Sequence, residues 1–124
     1  MGKIKLFDSE LKLMELVWAN EGKEAREMVR IAEEIIGWNK NTTYTIMKKL
    51  VAKGAVLRSE PHFVCTSLIT KEQVQIGEAK TLVDKLYDGS VKLLFSSFLD
   101  NGELSKSERE QIRSMIDSYD EGGE

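Results

Sequence analysis

Residues 41–67 read NTTYTIMKKLVAKGAVLRSEPHFVCTS and change their periodicity partway along. In the first half, apolar side chains recur every three or four positions until Gly54, a residue typical of helix ends. This spacing predicts a helix that ends at Lys53, and either Asn39 or Asn41 can cap its beginning.

The second half of this stretch has the composition of strands. Two runs rich in β-branched, aromatic and small apolar residues, 55–59 and 63–67, lie on either side of Glu60-Pro61-His62. Such runs around a proline-containing break predict a short two-stranded hairpin.

Two further helices are predicted upstream, at about 8–20 and 24–36, because apolar residues repeat there at helical spacing and a glycine follows each segment. Three helices followed by a hairpin is the element order of a winged helix-turn-helix domain. The sequence therefore predicts a mainly α (α+β) protein whose residues 1–70 form this domain, although many small α+β domains share the order.

Residues 71–124 are predicted to be helical and to form a dimerisation domain. Capping-box patterns occur at Thr70–Gln73 and Ser105–Glu108, and three amphipathic apolar stripes follow. A segment of this length cannot form a sufficient hydrophobic core by itself, and we therefore expect it to pack against a second copy. The residues expected between the two chains are Leu82, Leu86, Leu94, Phe95, Phe98, Ile112, Met115 and Ile116.

Charge is distributed unevenly along the chain. The net charge is −3, but residues 1–70 carry +2 and residues 71–124 carry −5. The segment 38–58 contains Lys40, Lys48, Lys49, Lys53 and Arg58 and no acid. A polyanion is attracted by the local electrostatic field of a surface more than by the net charge of the whole chain, so this segment is a candidate DNA-binding surface.

The outer face of the third helix has the composition of a DNA-reading surface. Opposite its apolar positions lie small hydroxyls, an amide and lysines, which suit base edges and phosphates in a major groove. We expect Thr42 and Thr45 to approach base edges with Asn41 and Lys48 beside them. We expect phosphate contacts from Lys40, Lys49 and Arg58.

Other classes of function are disfavoured by composition. With one cysteine, Cys65, and one histidine, His62, the chain can form neither an internal disulfide nor a His/Cys zinc site. We expect no enzymatic activity, no metal and no cofactor. No stretch has the roughly 20 apolar residues of a membrane helix, and the first residues lack a signal-peptide core. We therefore expect a cytoplasmic protein that does not insert into membranes.

Three blocks of sequence resemble the BlaI/MecI penicillinase-repressor family. SELKLMELVW (9–18) is similar to the family's first helix, and NTTYTIMKKLVAKGAV (41–56) to its recognition helix and the start of its wing. AKTLVDKLYDGSVKLLFSSF (79–98) is similar to its dimerisation region. The resemblance implies a dimeric repressor that binds double-stranded operator DNA with an inverted repeat.

The resemblance also implies how repression ends. A membrane-anchored sensor metalloprotease, which detects β-lactam antibiotics for the best-known members, would trigger cleavage in the C-terminal helices. The family's Asn-Phe bond corresponds here to Ser97-Phe98. The hairpin is shorter than in the family and carries Glu60 near its tip, and the cysteine pairs of copper-responsive relatives are missing.

A second hypothesis is a helical dimer that uses its winged domain to hold another protein without binding DNA. The acidic second half of the chain favours it slightly. The salt dependence of binding to duplex DNA separates the two hypotheses, because a DNA-binding protein must weaken steeply with salt.

Overall fold

The computed structural model describes residues 4–122; residues 1–3 and 123–124, at the ends of the two predicted domains, lie outside the described part. Within residues 4–122 the chain forms six helices and three strands, and the predicted mainly α fold with a small sheet is confirmed. In chain order they are α1 (Asp8–Ala19), β1 (Lys23–Glu24), α2 (Ala25–Ile35), α3 (Lys40–Ala52), β2 (Val56–Ser59), β3 (Val64–Ser67), α4 (Lys71–Leu86), α5 (Val91–Asp100) and α6 (Lys106–Glu121).

The core lies where α1, α2 and α3 meet the sheet. Each of the three helices turns most of its apolar stripe inward, as the helical spacing predicts, but Ile35, at the end of the stripe of α2, is 67% exposed. The largest fully buried side chains are Leu13, Met14, Val17, Met28, Met47, Leu50, Val56 and Cys65, together with the polar Thr43. The indole of Trp18, at the end of α1, donates to the carbonyl of Ile69 over 3.0 Å and so fixes the chain just before α4.

The sheet has one strand more than the predicted hairpin. Its order is β1-β3-β2, and both pairings are antiparallel, with Lys23 opposite Cys65 and Arg58 also opposite Cys65 on the other side. Strand β1 escaped prediction because it consists of two charged residues that pair through their backbone. The amide of Ala25 also donates to the carbonyl of Phe63 over 2.8 Å, which ties the start of α2 to the hairpin.

The two predicted capping boxes are present. The Thr70 hydroxyl accepts from the amide of Gln73, whose side chain accepts from the Thr70 amide, at 3.0 and 2.8 Å. Ser105 and Glu108 make the same reciprocal bonds at 3.1 and 3.2 Å. These bonds satisfy amides that lack a partner in the first helical turn, so α4 and α6 begin where the sequence places them.

The chain divides into two compact units between Glu78 and Ala79, inside α4. Among the described residues of the second unit only Val83 is buried. Of the predicted dimerisation residues, Leu94 and Ile112 are half-buried, and the other six are exposed in the single chain, from 41% for Phe98 to 66% for Leu86. The second unit therefore has amphipathic helices but almost no interior of its own.

A buried ion pair joins α1 to the end of α3. Glu10 is 2% exposed, and its Oε1 accepts from the Phe7 amide at 2.8 Å and from Lys53 Nζ at 2.6 Å. Lys53 Nζ also donates to the carbonyl of Lys5 at 2.7 Å and lies 4.4 Å from the centre of the Phe7 ring. Burial alone would raise the pKa of Glu10, but these donors hold it below its ordinary value of 4.5.

We predict that Lys53→Met destabilises the protein by about 2 kcal/mol at pH 7, because it leaves the Glu10 carboxylate buried without its cation. Since the folded-state pKa of Glu10 is depressed, the pair stabilises the fold above the unfolded pKa and loses this effect as pH falls through the folded value. Urea unfolding at pH 7 and at pH values below 4.5 measures both effects.

The matched control is Lys12→Met, which removes an exposed lysine of α1. It should leave the free energy of unfolding within about 0.5 kcal/mol of the wild type. If Lys53→Met loses as much stability on acidification as the wild type does, Glu10 is not the group that makes the fold acid-sensitive.

Candidate nucleic-acid interface

Helix α3 starts at a side-chain cap and ends at a glycine. Of the two predicted caps, Asn39 is the one used: its Oδ1 accepts from the amide of Thr42 at 2.8 Å. The hydroxyl of Thr43 donates to the Asn39 carbonyl over 3.2 Å. At the other end Gly54 has a φ of +81°, a conformation that glycine adopts without steric cost, and the chain turns there into β2.

The two faces of α3 differ in burial as predicted. Thr43, Ile46, Met47 and Leu50 are buried and pack into the core. The predicted DNA-contacting residues of α3 lie away from that core: Thr42 is half-buried, and Lys40, Asn41, Thr45, Lys48 and Lys49 are exposed. The structure therefore brings these six residues onto the solvent side and the N-terminal end of one helix.

Two of the five cations in segment 38–58 are paired with acids from outside the segment. Lys53 turns toward α1 and pairs with Glu10, and Arg58 pairs with Glu60 through its Nε. Lys40, Lys48 and Lys49 form no ion pair within the described residues. The positive field of this surface therefore comes from three lysines of α3.

Arg58 is the one predicted DNA-contacting residue outside α3, and it lies on β2. Its guanidinium carbon lies 3.8 Å from the centre of the Phe63 ring, a cation–π contact, while its Nε bonds to Glu60. The Phe63 ring is also 6.1 Å from that of Tyr44, on α3. Glu60 lies in the turn directly after β2, two residues from Arg58, so the sequence already places the two opposite charges close together.

The surroundings of Cys65 do not give it a catalytic role. Cys65 is 1% exposed, and burial raises the pKa of its thiol to about 11, so it stays protonated and acts as a small apolar side chain. His62 lies in the exposed turn of the hairpin. Among residues 4–122 no three His, Cys, Asp or Glu side chains are grouped to hold a metal ion.

The same range contains no helix that is both long enough and apolar enough to span a membrane.

A capped helix with a cationic outer face, packed against two helices and followed by a small antiparallel sheet, defines a winged helix-turn-helix domain of the DNA-binding class. The family described as penicillinase repressor matches residues 6–118. The chain belongs to this family of transcriptional repressors. It is therefore a DNA-binding repressor and not an enzyme.

Relatives of known name match over nearly the whole chain. A penicillinase repressor of Staphylococcus aureus is 27% identical over 116 residues, 92% of each chain. A penicillinase repressor of Bacillus licheniformis is 21% identical, covering 93% of this chain and 91% of its own. The methicillin resistance regulatory protein MecI of Staphylococcus aureus strain N315 is 22% identical, over 90% of this chain and 93% of its own.

Two solved structures are similar to the first part of the chain. The DNA-binding domain of the repressor BlaI superposes with a TM-score of 0.53 at 23% identity, covering 58% of this chain and 90% of that one. The monomeric form of Bacillus licheniformis BlaI, solved in complex with the blaP half-operator, gives a TM-score of 0.50 at 26% identity, covering 59% and 93%. The winged-helix fold predicted for the first part of the chain is confirmed.

Proposed function

We propose that this repressor binds an inverted-repeat operator as a homodimer in the bacterial cytoplasm, with one copy of α3 in the major groove of each half-site. The observation that carries the proposal is the outer surface of α3, where three lysines that form no ion pair among residues 4–122 lie with small hydroxyls and an amide. The relative solved with a half-operator supports it, since one chain of that protein engages half of its site. A dimer fits the two-fold symmetry of such an operator.

The proposed contacts divide into two kinds. Thr42 and Thr45 meet base edges, with Asn41 and Lys48 beside them; Asn41, Thr45 and Lys48 are exposed on the side of α3 opposite the core, and the half-buried Thr42 lies on its flank. Lys40 and Lys49 are placed to neutralise phosphates, and Arg58 is the phosphate candidate of the wing, the hairpin formed by β2 and β3. Phosphate contacts give sequence-independent affinity, whereas base contacts give sequence preference.

We predict that Thr45→Ala and Lys49→Ala weaken DNA binding in different ways. The threonine variant loses about 1–3 kcal/mol on the operator and relaxes base preference at one position, because a base contact is removed. The lysine variant weakens operator and random DNA alike and lowers the salt slope by about one. Fluorescence anisotropy with a duplex selected from a random library, at several salt concentrations, measures both.

Lys80→Ala is the matched control, since it removes an exposed lysine of α4 outside the proposed surface. It should change neither affinity nor salt slope. Full operator affinity in the Lys48→Ala, Lys49→Ala double variant, with an unaltered salt slope, would show that α3 is not the DNA-contacting helix.

We propose that the helices after residue 78 hold the two copies together. The residues concerned are Leu82, Leu86, Leu94, Phe95, Phe98, Ile112, Met115 and Ile116. Their exposure in the single chain supports this proposal, because soluble monomers rarely expose apolar patches of that extent. A second copy with the same faces provides the matching apolar surface.

We predict that Phe95→Asp yields a monomer, because a carboxylate would be buried in the apolar contact between two chains. Operator affinity should fall by about a hundredfold or more, since each half-site then binds separately. Analytical ultracentrifugation at micromolar concentration and operator binding measure the two effects. Ser114→Asp, on the polar side of α6, should leave both unchanged, and a wild type that sediments as a folded monomer contradicts the proposal.

We propose that repression ends when the bond between Ser97 and Phe98 is cut after a membrane-anchored metalloprotease senses an inducer. This bond lies inside α5, so cutting it would split a helix whose exposed apolar stripe belongs to the proposed dimer contact. The carbonyl of Ser97 accepts from the backbone amide of Asn101 at 3.1 Å and from its side-chain amide at 2.8 Å. The last turn of α5 must therefore open before this carbonyl is accessible.

We predict that Asn101→Ala speeds cleavage, because it removes one of the two hydrogen bonds to the carbonyl of the cleaved bond. Intact-mass measurement of the chain from cells exposed to a β-lactam should show two fragments that meet between Ser97 and Phe98, and more of them in the variant. A chain that stays uncut while its target genes are induced rules out release by proteolysis and leaves the dimeric repressor.

A further inference from the structure

Arg58, the only cation that the hairpin strands offer to DNA, is already occupied by a carboxylate of the same hairpin. Its Nε donates to Oε2 of Glu60, and its guanidinium lies over the ring of Phe63. The two charged side chains are 42% and 60% exposed, so both are in contact with solvent. The ion pair therefore lies on the surface of the wing, where a phosphate would have to approach.

The position of this ion pair is fixed by the fold beneath it. Phe63 is 8% exposed, its ring contacts Tyr44 of α3, and its carbonyl accepts from the amide of Ala25 at the start of α2. Arg58 is held in register by its pairing with Cys65. The guanidinium thus rests on a platform anchored to both helices of the helix-turn-helix.

Glu60 remains ionised at neutral pH. The hydrogen bond from Arg58 lowers the pKa of its carboxyl below the ordinary value. A carboxylate and a DNA phosphate are both anions that bind a guanidinium through the same donors, so each excludes the other from the Nε of Arg58. A phosphate at this position would also be repelled by the neighbouring carboxylate.

The groove beside the wing repeats this arrangement. Arg26 and Arg58 both line it, and Arg26 Nε lies 2.7 Å from Oε1 of Glu24. Each arginine of the groove is therefore matched by a glutamate. The wing side of the domain is close to electrically neutral, in contrast to the outer face of α3.

We propose that Glu60 sets the DNA affinity of this repressor: its carboxylate binds Arg58 in place of a DNA phosphate, and the wing contributes little to binding while this pair persists. The inference rests on the proposed function, because it takes duplex DNA as the ligand and Arg58 as a phosphate contact. A carboxylate that merely oriented Arg58 toward DNA would have the opposite effect, since its removal would weaken binding.

The test is Glu60→Gln, which keeps the size of the side chain and removes its charge at an exposed site. With a short fluorescein-labelled duplex of random sequence, affinity should rise by about three- to tenfold at low salt, and the salt slope should steepen by about 0.9, the effect of one added phosphate contact. Glu72→Gln, an exposed acid in the first turn of α4, changes the net charge equally and should leave both values unchanged.

A second variant shows whether the gain passes through Arg58. Adding Arg58→Met to Glu60→Gln should abolish the increase, because the freed guanidinium is then gone. An increase that survives Arg58→Met, or an affinity that Glu60→Gln leaves unchanged or lowers, overturns the inference while DNA binding itself stands. Absence of salt-dependent DNA binding in both the wild type and Glu60→Gln overturns the proposed function together with it.

Discussion

Burial of one face of α3 is the constraint on which the rest of the molecule depends. Met47 and Leu50 are almost completely enclosed by side chains of α1, α2 and the sheet, so the helix cannot rotate without opening the core. Because successive helical residues are separated by about 100°, fixing the buried face also fixes Thr45 and Lys48 on the opposite side. The exposed surface of α3, which we propose contacts DNA, can therefore change its chemistry while the helix keeps its orientation.

The same fold decides which cations stay available to DNA. Lys53, one turn beyond Lys49 on the same helix, points back toward α1 and stabilises the carboxylate of Glu10. It joins the ends of two helices and adds little to the surface field. The number of cations in a stretch of sequence therefore overestimates the positive charge of the folded surface wherever an acid from elsewhere in the chain pairs with one of them. Glu10 is such an acid, 43 residues from Lys53 in the sequence.

Elements with strong periodicity or a local cap could be predicted from the sequence, whereas contacts through the backbone or over long distances could not. Apolar spacing placed the bounds of α1 and α2 and the end of α3 to within one or two residues, and the capping box at Ser105 fixed the start of α6. Strand β1 has no pattern, because Lys23 and Glu24 contribute only their backbone to the sheet. The exposed face of α3 was predictable because the apolar spacing identifies the residues that pack into the core, and the residues on the opposite side of the helix are then exposed to solvent.

The small number of available cations gives a reason for the proposed second copy. In the proposed interface, Lys40 and Lys49 of α3 contact phosphates while Glu60 holds Arg58, which amounts to about two or three phosphate contacts per chain, and such binding weakens at physiological salt. Two linked copies make the second contact intramolecular, which multiplies affinity without any new side chain. Under the proposed mechanism, separation of the two copies ends repression while each DNA-binding domain remains folded, because the core of that domain lies before residue 79.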